Sequence, residues 1–233
     1  MRRPGLRNAQ GDRRLVKKGG RRRNLVLVTS TRPGEGKTFI AVNLALSLAC
    51  EEEIDILLVD ADAPRPKIRA QFGLPAAAGL ADRLADPGLA VSSLCARARQ
   101  APLSVLPEGQ ETARSAELFA SAEAQRLFTE LSTRGAGGLV IIDAPPVLAT
   151  ADAVALARHV DEIIFVIEAD ATPEAGARAA LDELIDANPN VSLILNRCLI
   201  GEGGSLYGSY GDYGAPVENE RRAYHARERN HAQ

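Results

Sequence analysis

The feature that most restricts the fold is an apolar run that empties into a glycine-lysine loop and then into a helical pattern. Leu25–Thr29 is such a run, the string Thr31-Arg-Pro-Gly-Glu-Gly-Lys-Thr38 follows, and helical spacing extends from Lys37 to Ala49. Gly34 and Gly36 permit the backbone to turn so that successive N–H groups face one anion, and the helix opening at Lys37 adds the positive end of its dipole. Lys37 is placed to reach the β- and γ-phosphates of ATP, and the Thr38 hydroxyl is placed on Mg²⁺. Glu35, between the two glycines, belongs to the same phosphate-binding turn. The string departs from G-x-x-x-x-G-K-[ST] at one position, where Thr31 replaces the first glycine.

Further runs rich in Val, Ile and Leu recur at Ile56–Asp60, Leu103–Leu106, Leu139–Asp143, Ile163–Ile167 and Val191–Leu195. Their apolarity is continuous rather than alternating, which predicts strands covered on both faces. Between them, Ser115–Arg134 reads as a helix with Leu118, Ala122, Leu127 and Leu131 inward. Thr172–Ala187 reads as another, with Thr172 as N-cap and Pro173 at the first helical position. Strands alternating with helices predict an α/β fold: a mostly parallel central sheet with helices on both faces. Two full domains are not expected from 233 residues, and a composition of 45% apolar and 25% charged residues excludes collagen-like, wholly disordered and disulfide-scaffold classes. No apolar run approaches the roughly 20 residues of a membrane-spanning helix. Cys50, Cys95 and Cys198 lack metal-binding spacing, and no secretory signal is recognisable, so a cytoplasmic location is expected.

The ends are biased in opposite ways. Ten cations, Arg2 to Arg23, precede the first strand and only Asp12 opposes them. This stretch, residues 1–23, reads as a solvated basic tail able to meet an anionic membrane surface. Nucleic acid is disfavoured because no aromatic residue is interleaved for base stacking. Residues 24–200 form the expected phosphate-binding domain. From Gly201 to Gln233 the chain is glycine-rich at first and holds all four tyrosines, Tyr207, Tyr210, Tyr213 and Tyr224. Burial usually explains a tyrosine. These have almost no apolar neighbours, which leaves either a tail of no consequence or hydroxyls presented to something.

Acidic residues narrow the chemistry. The run ending at Val59 continues into Asp60-Ala-Asp62, and the run ending at Ile142 continues into Asp143-Ala-Pro-Pro. In a parallel sheet the ligand crevice lies beyond the carboxyl ends of the strands, so these acids are expected to converge on the phosphate loop. One or two carboxylates plus phosphate oxygens suffice for Mg²⁺. Asp143 fits the role of orienting the metal and its waters. Of Asp60 and Asp62, one can help hold the metal while the other accepts a proton from an incoming hydroxyl. Asn196-Arg197 follows the last strand, and an Asn amide can pair with the edge of adenine. His159, His225 and His231 show no pattern of catalysis or metal binding.

The chain resembles the bacterial tyrosine kinases of exopolysaccharide systems, most closely the autokinases associated with exosortases, which are similar in fold to the MinD/ParA branch of P-loop proteins. The resemblance spans roughly Asn24 to Gly214 and rests on PGEGKT at 33–38, LLVDADAPRP at 57–66, SAELFAS at 115–121, IIDAPPVLATADA at 141–153, LNR at 195–197 and the tyrosine cluster. It implies that Gly34, Gly36, Lys37 and Thr38 are the Walker A motif, Asp60 and Asp62 the Walker A′ motif, and Asp143 the Walker B motif. Tyr207, Tyr210, Tyr213 and Tyr224 are then phosphoacceptors, modified between neighbouring subunits. A membrane polysaccharide co-polymerase, or chain-length determinant, is the implied partner that recruits the chain to the inner face of the plasma membrane. Phosphorylation adds about −1.5 to −2 charge per tyrosine, and an acidic crevice is expected to release the modified tail. Three departures stand out. Pro64 occupies the usual place of an arginine, with Arg65 next to it. The Glu-x-x-Arg-x-x-Arg ring-packing helix is absent in that form, and no membrane segment is fused. A ParA/MinD-type positioning ATPase, with Arg32 in place of that group's lysine, and a nucleotide-dependent adaptor without transfer activity are the alternatives.

Overall fold

The computed structural model describes residues 17–18, 21–51, 54–133 and 138–198. All four tyrosines, and most of the basic N-terminal stretch, lie outside the described residues. The strands are β1 Lys17–Lys18, β2 Arg21–Arg22, β3 Leu25–Ser30, β4 Ile56–Asp60, β5 Ala96–Arg97, β6 Leu103–Leu106, β7 Leu139–Asp143, β8 Glu162–Glu168 and β9 Val191–Asn196. The helices are α1 Lys37–Ala49, α2 Ile68–Gln71, α3 Leu80–Ala85, α4 Val91–Leu94, α5 Ser115–Phe119, α6 Ala122–Thr133, α7 Asp152–Ala157 and α8 Glu174–Ala187. Seven strands form one sheet in the order β5-β6-β4-β7-β3-β8-β9. Every neighbouring pair in it is parallel except β5 with β6. β1 and β2 make a separate antiparallel pair.

Side chains alternate across a strand, so continuous apolarity feeds two cores. Leu27, Val59, Ile142 and Phe165 pack on one face with Phe128 and Leu131 of α6, Leu156 of α7 and Leu184 of α8. Val28, Leu58, Ile141 and Val166 pack on the other face with Ala41, Val42, Ala45 and Ala49 of α1. The alanines recur every four residues, so α1 lays a narrow stripe of small side chains on the sheet. At the start of β3, Asp161 Oδ2 accepts the N–H groups of Asn24 and Leu25 at 2.9 and 3.0 Å, which fixes β3 to the beginning of β8. Register then carries the acids to one level: Asp60 ends β4 directly opposite Asp143, which ends β7.

Three expectations from the sequence need correction. The helix expected over 115–134 is two helices, because the turn at Ala120–Ser121 interrupts it and the Ser121 hydroxyl caps α6 by accepting the Ala124 N–H at 3.1 Å. Its buried face is accordingly Phe119, Ala124, Leu127, Phe128 and Leu131, while Leu118 is half-buried and Ala122 exposed. Thr172 is not a helix cap. α8 begins at Glu174 with Pro173 as N-cap, and the Thr172 hydroxyl bonds elsewhere. Nor is every apolar strand covered on both faces: β9 is the edge of the sheet, and Leu193 and Leu195 are 56% and 61% exposed.

Candidate active site

β3 delivers the phosphate loop to the carboxyl end of the sheet, between β7 on one side and β8 on the other. Gly34 and Gly36 have φ of 98° and 100°, values that only glycine adopts readily, and two such residues two apart produce the backbone pattern of an anion nest. Gly36 is also required by space, because a Cβ there would overlap the side-chain amide nitrogen of Asn196. α1 starts at the next residue, so its N-terminus opens onto the nest.

Three of the sequence-selected side chains meet at one ammonium group. Lys37 Nζ lies 2.7 Å from Asp62 Oδ2, 3.1 Å from Asp143 Oδ1 and 3.2 Å from Thr38 Oγ1. All four residues are buried. Burial pulls the Lys37 pKa down, but Asp143 and Asp62 together outweigh it and hold the pKa above the ordinary lysine value. Burial also pushes Asp143 up, against the pull of Lys37. Two carboxylates around one cation leave an excess of hard oxygen donors. Together with the Thr38 hydroxyl, that donor set fits a magnesium ion carried on phosphates.

Asp60 behaves differently. Its Oδ1 accepts the Asp62 N–H at 3.1 Å and its Oδ2 accepts the Ile68 N–H at 3.2 Å, so both oxygens are engaged in shaping the loop from Asp62 to α2. Burial, reinforced by Asp143 opposite it, raises its pKa to about 7. Asp62, not Asp60, lines the cavity in front of the loop, which has a volume of about 190 Å³. Lys37, Thr38 and Asp62 form its buried part, while the exposed side chains of Arg65, Lys67 and Arg197 stand at its mouth. The acidic crevice expected from the sequence is therefore acidic only underneath; its mouth is cationic.

Asn196 and Glu35 come together without lining the cavity: Asn196 Nδ2 donates to the Glu35 carbonyl at 2.9 Å. The Glu35 carboxyl is turned into the protein, where its Oε1 accepts the Thr172 hydroxyl at 2.6 Å and its Oε2 accepts the Arg32 N–H at 2.9 Å. Sequence reasoning missed two further polar residues. Asp152 is buried at the start of α7 beside the Ser115 hydroxyl, 2.9 Å from Oδ2. Burial raises its pKa, against the Ser115 bond, and Asp62 adds to the rise. Thr172 reads as a helix cap in the sequence, whereas its hydroxyl donates to Glu35. Both residues act over long sequence separations, and the only signal available was their presence in otherwise recognisable strings. His159 is structural: it stacks on Phe128 with ring centroids 5.3 Å apart, and its Nε2 lies 2.7 Å from the Phe119 carbonyl.

No protein-family model matches the chain. Among curated proteins, the tyrosine-protein kinase YwqD of Bacillus subtilis (strain 168) is 33% identical over 189 residues, covering 81% of this chain and 77% of that protein. The chain belongs to the bacterial protein-tyrosine kinases. Among solved structures, the VpsO kinase domain superposes with a TM-score of 0.69 at 34% identity, over 76% of this chain and 86% of that one. MinD in the MinC:MinD cell division complex of Aquifex aeolicus shares the fold, with a TM-score of 0.62 at 20% identity over 75% of this chain and 69% of that one. The sheet of this kinase shares its fold with that structure, and the Lys37 cluster stands at the carboxyl ends of its central strands.

Proposed function

We propose that this tyrosine kinase transfers the γ-phosphoryl group of ATP to tyrosines of its own C-terminal cluster, presented by a neighbouring copy, and so regulates export or polymerisation of a surface polysaccharide. The observation that carries the reading is the convergence of Lys37, Thr38, Asp62 and Asp143 at the phosphate loop, with Lys37 Nζ within 3.2 Å of all three partners. The kinase family supplies the reaction class, and the sequence supplies four tyrosines in one segment. A membrane polysaccharide co-polymerase is the partner that the resemblance implies. No helix among the described residues is long and apolar enough to cross a membrane.

In this mechanism the turn at Gly34–Gly36 and the first turn of α1 hold the phosphates, and Lys37 exchanges its two carboxylate partners for the β- and γ-phosphoryl oxygens. Thr38 and Asp143, with Asp62 beside them, would hold Mg²⁺, whose chemistry is to neutralise charge on the β- and γ-phosphates. The tyrosine oxygen forms a bond to the γ-phosphorus as the bond from that phosphorus to the β,γ-bridging oxygen breaks, and ADP leaves with the electron pair. Asp62 accepts the phenolic proton, because it reaches the cavity whereas both oxygens of Asp60 are occupied by backbone donors. Asp60 is then the residue that shapes the Walker A′ loop around Asp62.

Incubation of the purified full chain with ATP and Mg²⁺ tests the reading. Phosphotyrosine on the chain that falls sharply when Tyr207, Tyr210 and Tyr213 are together replaced by Phe, and disappears when Tyr224 is replaced as well, is the expected result. Free phosphate release stimulated by DNA or lipid, without phosphotyrosine, would instead identify a positioning ATPase. The side chain of Arg32 argues against that outcome. Its Nη2 donates to the Ala171 carbonyl at 2.8 Å, so the group that would substitute for a ParA/MinD lysine is bound within its own chain.

A further inference from the structure

The Glu35 carboxyl is a buried polar group that the mechanism leaves unused. It sits in the phosphate loop yet is only 2% exposed, and its side chain turns away from the cavity toward the β8–α8 connection. There the Thr172 hydroxyl donates to it at 2.6 Å and accepts the Glu168 N–H at 3.0 Å, so Thr172 is held from behind by the strand end. The Arg32 N–H donates to the other oxygen, which closes a ring within the loop itself. From the next strand, the Asn196 amide donates to the Glu35 carbonyl at 2.9 Å, and the Asn196 carbonyl accepts the Ala169 N–H at 2.9 Å. Main chain and side chain of one loop residue are therefore gripped by two elements that lie more than 130 positions along the chain.

We propose that Glu35, Thr172 and Asn196 are positioning residues that clamp the phosphate loop to the edge of the sheet and hold it in its nucleotide-binding curvature. The loop needs such a clamp because it contains two left-handed glycines within three residues, and glycine loses more conformational freedom on ordering than any other residue. Strain-free alternatives are open to a loop of this kind unless an outside contact removes them. None of the three side chains lines the cavity, so each acts on the nucleotide through the loop. The clamp also ends where the chain turns out of β9. Arg197, the residue after Asn196, has φ of 57°, is ion-paired to Glu168 at 2.7 Å and stands at the cavity mouth. A displacement of the strand end at Asn196 would thus be felt directly by the phosphate loop.

This inference rests on the nucleotide-binding reading above, and binding of Mg·ADP to the full chain, measured by calorimetry, separates the two. Thr172→Val keeps the shape and removes the hydroxyl, Thr172→Ser restores the hydroxyl, and Asn196→Ala removes the donor on the other side. The expected result is that Thr172→Val and Asn196→Ala each weaken Mg·ADP binding by about tenfold, with Thr172→Ser within about twofold of the unaltered chain, and that KM for ATP rises in step while kcat at saturating ATP changes less. A brace that is only structural would lower the melting temperature without this pattern. Mg·ADP binding within about twofold of the unaltered chain in both Thr172→Val and Asn196→Ala overturns the clamp, as does equal loss in Thr172→Ser and Thr172→Val. If the unaltered chain binds no Mg·ADP, the proposed function and the clamp fall together; if it binds and the variants bind equally, the clamp alone falls.

Discussion

The centre of the sheet and its β9 edge are built from similar apolar strands but do opposite work. At the centre, β4, β7 and β3 are almost wholly buried between two helical layers and deliver charged residues, Asp60, Asp143 and Lys37, to one level. At the edge, β9 leaves Leu193 and Leu195 exposed and contributes only an amide, Asn196, to the rear of the phosphate loop. Burial at the centre makes charge strong: the ammonium–carboxylate contacts of Lys37 operate where little water competes. Exposure at the edge makes the same strand type weakly constrained, so what matters there is geometry passed through hydrogen bonds. Charge chemistry belongs to the middle of this molecule and loop geometry to its rim.

Replacing Lys37 by Met is the hardest blow to the centre. It removes the cation that the proposed transfer places on the developing phosphate charge, and phosphotyrosine formation is expected to fall by about a thousandfold or more, on the order of 4 kcal/mol of transition-state stabilisation. The measurement is the rate of phosphotyrosine appearance in purified protein, with circular dichroism to show that the fold persists. Retention of more than about a tenth of the rate in a folded variant would remove Lys37 from the reaction.

The second contrast is packing. Phe165 on β8 is wholly buried in the core on the α7–α8 side. Phe165→Ala deletes a ring that its surroundings refill only in part, and should cost about 3–4 kcal/mol in urea unfolding. A loss below about 1 kcal/mol would mean that β8 is as loosely held as its neighbour β9 and that the division between centre and edge is misplaced.

The centre was also the legible part. Ile56–Asp60 and Leu139–Asp143 are legible to the residue, because an apolar run ending in a charged residue signals both the strand and its end at the crevice, and Leu103–Leu106 because Pro107 stops it. Gly34, Gly36, Lys37 and Thr38 were legible because a nest, a cation and a hydroxyl must occupy fixed neighbouring places. The edge was not. Val191–Leu195 has the same apolar spelling as a buried strand, and only the strand order reveals that nothing described covers its outer residues. The division of labour between Asp60 and Asp62 depended on backbone N–H groups at Asp62 and Ile68, whose direction no side-chain pattern encodes. Thr172 carries good helix-start grammar with Pro173 and Glu174, and tertiary context overrode it: the hydroxyl found the Glu35 carboxyl instead of an N-terminal amide.

A smaller effect concerns Asp60. Unfolded, Asp60 releases its proton near pH 4; folded, burial and Asp143 delay release to about pH 7. Between these values the folded state binds more protons than the unfolded state, so this contribution to stability is greatest below pH 4 and is lost as the pH rises through 7. Asp143 and Asp152, also raised, add slopes of the same sign. Asp60→Asn should therefore reduce, without abolishing, the fall in melting temperature between pH 4 and 7 in the absence of nucleotide and Mg²⁺. An unchanged slope would show that Asp60 is ionised in the folded protein at pH 4 and above.

The smallest effect lies at the edge. Leu195 is 61% exposed on β9, directly opposite Ile167 of β8, and its replacement removes little apolar contact among the described residues. Leu195→Thr replaces a γ-branched side chain by a β-branched one suited to an edge strand and is expected to change stability by no more than about 0.5 kcal/mol. The same exchange also makes the strand a poorer template for pairing with other chains, so solubility should rise. Urea midpoints of the full chain provide the check. A loss above about 1 kcal/mol would mean that Leu195 is covered in the intact protein, and the contrast between a buried centre and an open edge would then apply only to the described residues.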